Sequence, residues 1–504
     1  MSVKDFVCKT LEAIGGWELM ADLCLAADSA MGDGKRVDQV ERDLFKQLLG
    51  LGRAFLAHAI EKEGNGDEGA GISINGRDLR RSRELHAKTY HSIFGKISIL
   101  RYVYAKREGQ GAEYVPLDAR LSLPRLETSY PLQDWQQRFV IKGPYAEATQ
   151  SLLDLLGLKT SVNVAERINK AMGDAVSSFQ ASLPRPKPDT ESEIIVTTAD
   201  GKGVPMRQSL KERKKQELGL KDYPWKSRLD YQKTDKRRGA GDRKSTKQMA
   251  YAGAVYTIDP FHRDSSSIVD ELARKKSQQQ RPKPSNKRLF VEMTQIKEGE
   301  VLEGPQTLFE KLAKDVRERN PENKKTVICL MDGQRSLWAM QEAFLSKAIC
   351  ILDLMHVMER LWKAAHCLHP QTSIAAEAFV QKYLRMMLEG KLGYVIGAFK
   401  RKKATLSKEK ERQLENVINY FETNRQYMKY DEHLANGYPI ASGIIEGACR
   451  HMVKDRMELS GMRWEIEGAQ SVLSLRAIYL NGDWDAFIEH HIQQEQTALY
   501  GIAA

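Results

Sequence analysis

Three acidic residues stand in separate, glycine-punctuated motifs: Asp200 in TTADGKGVP, Asp332 in ICLMDGQRS and Glu446 in ASGIIEGACRH. They are 132 and 114 residues apart in the chain, so only a fold can bring them together. Three converging carboxylates can hold a pair of Mg²⁺ ions, with Mn²⁺ able to substitute, and such a pair catalyses in-line displacement at phosphorus. Each aspartate is followed by a glycine, which lets a bulky phosphodiester approach the backbone. The simpler reading makes each Asp-Gly a turn at a strand end. For Glu446 the simpler reading is a first-turn acid favoured by the helix dipole, or paired with Arg450 one turn later.

A fourth motif, Asp353-Leu-Met-His356, opens an amphipathic stretch. Asp353 is a natural N-cap there and is also the alternative second metal ligand. His356, one turn in, is placed to contact a phosphate or to orient a carboxylate, and is counted with the catalytic residues. The net charge is +11, and residues 207–247 alone hold 15 Lys/Arg against 6 Asp/Glu. A concentrated basic segment directly after Asp200 fits a polyanion partner, although a solvated charged loop has the same composition. Lys202, Lys214, Lys215, Arg237, Arg238, Arg243, Lys244 and Arg450 are the expected phosphate contacts. Arg463-Trp464 can stack on unpaired bases, or Trp464 can be core.

These residues need elements to carry them. IIVTTAD (194–200), MAYAGAVYTI (249–258), RLFVEMTQI (288–296), TVICLM (326–331) and AICIL (348–352) read as buried or alternating strands. Amphipathic helices are expected at 307–319, 334–345 and 355–366. The order β-β-β-α-β-α-β-α demands an α/β fold with a mixed sheet and helices on its faces, the element order of the ribonuclease H-like fold. The 259–287 stretch has the composition of a mobile loop. Residues 367–437 read as an all-helical insertion ahead of the helix that bears Glu446.

The organisation expected along the chain starts with a helical region over 1–95, broken at the Gly-rich 67–77. A small β-rich segment covers 96–142, where YHSIFGKISILRYVYA reads as one strand starting at Tyr90. Residues 143–183 have the spacing of a helix-turn-helix, with Gly157 at the break and Thr160 or Ser161 as cap. A Pro-rich linker spans 184–192. The catalytic core covers 193–366 and resumes at 438–504 after the insertion.

Composition narrows the class. No apolar run approaches 18 residues, so a membrane partner is not expected. Neither the start of the chain nor the six cysteines, none in a C-x-x-C pair, suggest secretion or a zinc ribbon. A reduced, cytoplasmic protein without a small-molecule substrate is expected.

The segments TADGKGVPM, ILDLMHVMERLWKAAHCLH, YPIASGIIEGACRHMVKDRMELSGMRW and GAQSVLSLRAIYLNGDWDAF resemble bacterial insertion-sequence transposases of the ISKra type. The resemblance covers roughly 190–490 and extends less distinctively to FGKISILRYVY and PLDARLSLP. It implies a ribonuclease H-like catalytic domain with an Asp-Asp-Glu triad on Asp200, Asp332 and Glu446, and divalent metal. It also implies cleavage of the element's terminal inverted repeats, 3′-OH strand transfer into target DNA, and at least a dimer when two ends are synapsed. A structure-selective nuclease of the same fold, without strand transfer, and a domesticated DNA-binding regulator are the two rival readings.

Overall fold

A computed structural model describes residues 3–32, 36–74, 76–187, 190–207, 246–272, 280–297, 300–404 and 406–501. The chain divides into two compact units: Met1–Phe179 together with Trp484–Ala504, and Gln180–Asp483.

In the first unit the helices Val3–Ala13, Gly16–Gly32 and Val37–Lys62 lead into strands β1 (Gly71–Ile74) and β2 (Arg77–Arg81). Strands β3 (His86–Ser92), β4 (Gly95–Arg101) and β5 (Tyr104–Ala105) follow. The helical region expected over 1–95 therefore ends at Lys62, and the Gly-rich 67–77 supplies β1 and its turn. The stretch read as one strand from Tyr90 is a hairpin, with Ser92 paired to Gly95 across Ile93-Phe94. Two apolar residues at the turn leave no break in the alternation, and the punctuating Gly95 (φ +125°) comes one residue late. The last named strand ends at Ala105; the rest of the segment expected to be β-rich up to 142 holds two helices, Pro116–Arg120 and Tyr130–Val140. Ser129 caps the second of these, accepting from the Leu132 amide, with a proline in the first turn.

Two helices, Tyr145–Leu156 and Val162–Ser182, stand where the helix-turn-helix spacing placed them, separated at left-handed Gly157. Ser161 is the cap, its Oγ accepting from the Val164 amide. Buried amides tie Val162–Ser182 to Tyr130–Val140: Gln137 donates to the Ala165 carbonyl and accepts from Asn169. The helix Trp484–Tyr500 completes this unit, its Trp484 indole donating to Asp134.

The second unit holds a five-stranded mixed sheet built from β6 (Ile194–Met206), β7 (Thr246–Ile258), β8 (Ser285–Met293), β11 (Thr326–Met331) and β12 (Ile349–Leu352). A small hairpin, β9 (Gln295–Lys297) and β10 (Glu300–Leu302), intervenes after β8. The sheet order is β12-β11-β6-β7-β8, with β6, β11 and β12 mutually parallel and β7 and β8 antiparallel. The expected strand and helix order is present, with two additions. One is the β9–β10 hairpin; the other is the helix Ser265–Leu272, inside the stretch expected to be a mobile loop. Asp264 caps that helix through the Ser267 amide, and Ile268 and Val269 are buried beneath the polar run that hides them.

The crossover helix Gly304–Arg319 lies on β7, where Gly253 is required: a Cβ there would stand 2.9 Å from Leu308 Cδ1. The insertion forms helices Ile374–Leu388, Leu392–Lys403, Lys408–Thr423 and Tyr430–Ala435. Its Phe379, Phe399, Val417 and Phe421 belong to the same buried cluster as Val196, Leu330 and Leu361. The insertion thus shares the core of the sheet. No helix among the described residues is long and apolar enough to cross a membrane.

The helix Ile466–Asn481 runs along the outer edge of β8. Gln470 accepts from the Met293 amide and donates to the Val291 carbonyl. Asn481 accepts from the Leu289 amide and donates to its carbonyl. Two side-chain amides therefore occupy the edge sites that a sixth strand would use.

Candidate functional site: a row of aspartates at the parallel strand ends

The site starts from strand register. On the parallel strands β6, β11 and β12, Ala199 pairs with Met331 and Met331 with Leu352. The next residue on each strand is an aspartate: Asp200, Asp332 and Asp353. Three acids thus stand in one row directly after the last residue pairs that join three neighbouring parallel strands, where the spacing between strands is about 4.8 Å. This is the edge at which open α/β sheets bind ligands.

The surroundings give each acid a different task. Asp353 is buried, and both its oxygens are used by backbone amides: Met355 on one, Ser442 on the other, each at 2.8 Å. It caps the helix Leu354–Leu368 and ties it to the segment before Glu446. Asp332 is half-buried and accepts from the Gln334 amide at 2.9 Å. Burial raises its pKa above the ordinary carboxylate range, and the negative charge of Asp200 adds to this; the Gln334 hydrogen bond and His356 act in the opposite direction. Asp353 is likewise raised, first by burial.

Asp200 sits inside a strand, not at its end. β6 runs on to Met206, and Asp200 stays paired with Ala252 of β7. Neither Asp200-Gly201 nor the Gly-Lys-Gly after it is a turn. One oxygen of Asp200 lies 2.6 Å from the Gly201 amide, and the carboxylate is also bonded by the Cys449 thiol, which burial first and Asp200 second push upward. Lys202, two residues along the same strand, adds positive charge beside that thiol.

Glu446 lies on the helix Gly443–Ala448, which packs on β6 and β7. Its side chain is outside the described residues. Cys449, three residues later, opens a π turn over Cys449–Lys454, so the backbone bearing Glu446 runs past Asp200. Arg476 holds this turn through the His451 carbonyl.

Two tyrosines from the insertion reach the same strand ends. The Tyr420 hydroxyl donates to the Asp332 carbonyl at 2.7 Å, and the Tyr430 hydroxyl to the Leu352 carbonyl at 2.8 Å. Nothing local in the sequence signals these contacts. Cys449 is different: its spacing of three from Glu446 on an apolar stripe was a usable signal.

In comparisons with known proteins, no family model matches the chain, and no curated protein matches it.

The remaining expected contacts divide clearly. His356 is half-buried beside Asp332 and Asp353, while Arg450 and Arg463 are exposed. Lys214, Lys215, Arg237, Arg238, Arg243 and Lys244 lie outside the described residues. Trp464 is not a stacking platform. It is 6% exposed, its indole donates to the Met457 carbonyl, and the buried Arg456 guanidinium covers its ring at 4.7 Å. Its backbone extends β6, exchanging hydrogen bonds with Pro205 and Arg207. A large indole beside a strand end gains more from burial than from an open face.

Burial first, and the charge of the neighbouring Asp200 carboxylate besides, raise the cost of ionising Asp332, and no Lys or Arg among the described residues forms an ion pair with either acid. That donor set suits a divalent cation. Among the described residues, no three His, Cys, Asp or Glu are grouped to hold a metal ion.

Proposed function

We propose that the chain is a transposase with a ribonuclease H-like core, which cuts DNA at the ends of its own element and joins the freed 3′-OH to target DNA. The observation that carries this reading is the placement of Asp200 and Asp332 each directly after the paired Ala199 and Met331 on adjacent parallel strands, with the Glu446 helix packed against one of them. The sheet order β12-β11-β6-β7-β8 sets the strand of Asp200 beside the strand that leads to Asp332, which supports this reading. The use of both Asp353 oxygens by backbone amides favours Asp332 as the second ligand.

Asp200, Asp332 and Glu446 would hold Mg²⁺. When bound, the ions supply Lewis-acid stabilisation of the attacking and leaving oxygens in an in-line displacement. Lys202, on the same face of β6 as Asp200, supplies positive charge for a phosphate of the scissile strand. His356 balances the carboxylate row from the Asp353 side. The basic segment 207–247 binds phosphates without reading sequence. Two copies on two ends, acting on bacterial chromosomal DNA in the cytoplasm, follow from the reaction.

The test is cleavage and joining of element-end DNA in Mg²⁺. Glu446→Gln is expected to abolish cutting while metal-free DNA binding persists. Cutting that survives Glu446→Gln removes Glu446 from the site. Nicked products without joined products would favour a nuclease, and binding without either would favour a regulator.

A further inference from the structure

We infer that the helical insertion is a positioning device for Asp332, and that Tyr420 is the residue through which it acts. This rests on the reading of Asp332 as a metal ligand.

The peptide between Asp332 and Gly333 is the weak point of the carboxylate row. Gly333 has φ +92°, and glycine accepts either sign of φ, so this peptide can rotate and swing the Asp332 carbonyl over at little cost. Rotation changes ψ of Asp332, and the rotamers open to its side chain depend on that angle. The Tyr420 hydroxyl removes that freedom by donating to the Asp332 carbonyl at 2.7 Å.

Tyr420 is itself held on several sides. The Arg360 guanidinium lies 4.5 Å over its ring, and the Asn424 amide donates to its carbonyl at 2.8 Å. A Cβ on Gly333 would stand 3.0 Å from Leu352 Cδ1, 3.1 Å from the Tyr420 hydroxyl and 3.2 Å from Asn424 Oδ1, so the pocket is shaped for glycine. Trp338, on the helix that follows Asp332, stacks on Tyr427 at 4.1 Å. Packing of the insertion rests on Phe379, Phe399 and Phe421, so the Tyr420 hydroxyl is not needed to dock it. What the hydroxyl adds is the direction of one peptide.

The experiment compares full-length wild type, Tyr420→Phe and Asp332→Asn in three measurements. They are Mn²⁺ binding by electron paramagnetic resonance without DNA, metal-free binding of a duplex oligonucleotide by anisotropy, and melting temperature. Wild type is expected to bind Mn²⁺ and Asp332→Asn to lose it. Tyr420→Phe is expected to weaken Mn²⁺ binding about tenfold, the scale on which partners of metal ligands act. Its DNA binding and melting temperature are expected to stay at wild-type values. Gly333→Ala, which disfavours positive φ, is expected to weaken Mn²⁺ in the same way. Wild-type Mn²⁺ affinity in Tyr420→Phe, with Asp332→Asn defective, would overturn the positioning role and leave the ligand reading standing. A lower melting temperature with Mn²⁺ affinity kept would make Tyr420 a packing residue and also overturn it. Undiminished Mn²⁺ binding by Asp332→Asn would remove the ligand reading, and this inference with it.

Discussion

Asp332 and Asp353 follow apolar strands of similar composition, yet their surroundings separate them. Asp353 satisfies two amides, that of Met355 close by and that of Ser442 89 residues further along the chain. Its replacement by alanine leaves both without a partner, at about 1–3 kcal/mol each, so Asp353→Ala is expected to lower stability by about 3 kcal/mol in urea denaturation. Asp332 is the opposite case. Its pKa is raised in the folded state, so the penalty on its charged form is absent below the unfolded value and complete above the folded one. At neutral pH Asp332→Asn is therefore expected to raise the melting temperature in EDTA, with the advantage disappearing in Mg²⁺. A drop in EDTA would contradict the carboxylate repulsion. The sequence shows both acids and offers Asp353 as a cap, but the second amide that Asp353 accepts from, Ser442, lies across the insertion. Trp464 shows the same limit. Its spacing near a glycine permitted an open face, and only the placement of Arg456 over its ring closed it.

At the scale of elements, the five core strands and the crossover helices were legible because buried parallel strands write themselves as short β-branched runs. Their lengths were not. β6 continues through Gly-Lys-Gly because β7 supplies a partner at every position to Met206, a long-range fact. The β3–β4 hairpin was hidden by its apolar turn. In the insertion, His433 introduces a pH dependence. It is buried with Nε2 lacking a hydrogen-bond partner, and burial holds its pKa below the usual imidazole value despite Glu432 and Asp431 nearby; Lys429 adds to the lowering. Protonation is therefore favoured in the unfolded chain, and stability present above about pH 6.5 is lost as pH falls. The melting temperature is expected to decline between about pH 6.5 and 5, and His433→Gln to flatten that decline. An identical slope in the variant would exclude His433 as the source.

For the whole molecule, charge is the readable property, and it corrects one emphasis of the sequence reading. Residues 77–107 hold nine Lys/Arg against two Asp/Glu, a net +7, and residues 207–247 a net +9. Against a chain total of +11, everything else sums to −5. The helix hairpin within 143–183, the element expected to recognise DNA, carries three Lys/Arg against four Asp/Glu. Arg80, Lys96, Lys106 and Arg107, all exposed in the β-rich part of the first unit, are better placed for phosphates. Replacing these four by glutamine is expected to cut the salt dependence of duplex binding by up to about 3.6 in log–log slope, at about 0.9 per phosphate lost. Arg167→Gln with Lys170→Gln on the hairpin is expected to change it far less, and the reverse ranking would restore the hairpin as the main contact. One last feature bears on how the protein ages. Asn481, which seals the edge of β8, is followed by Gly482, and an Asn-Gly step is the one most open to deamidation. The two hydrogen bonds engage both the oxygen and the nitrogen of its amide on β8. Once that hold loosens, conversion to aspartate would set a carboxylate against the Leu289 carbonyl. The seal would become a repulsive gap, and a slow chemical clock would expose the edge of the sheet.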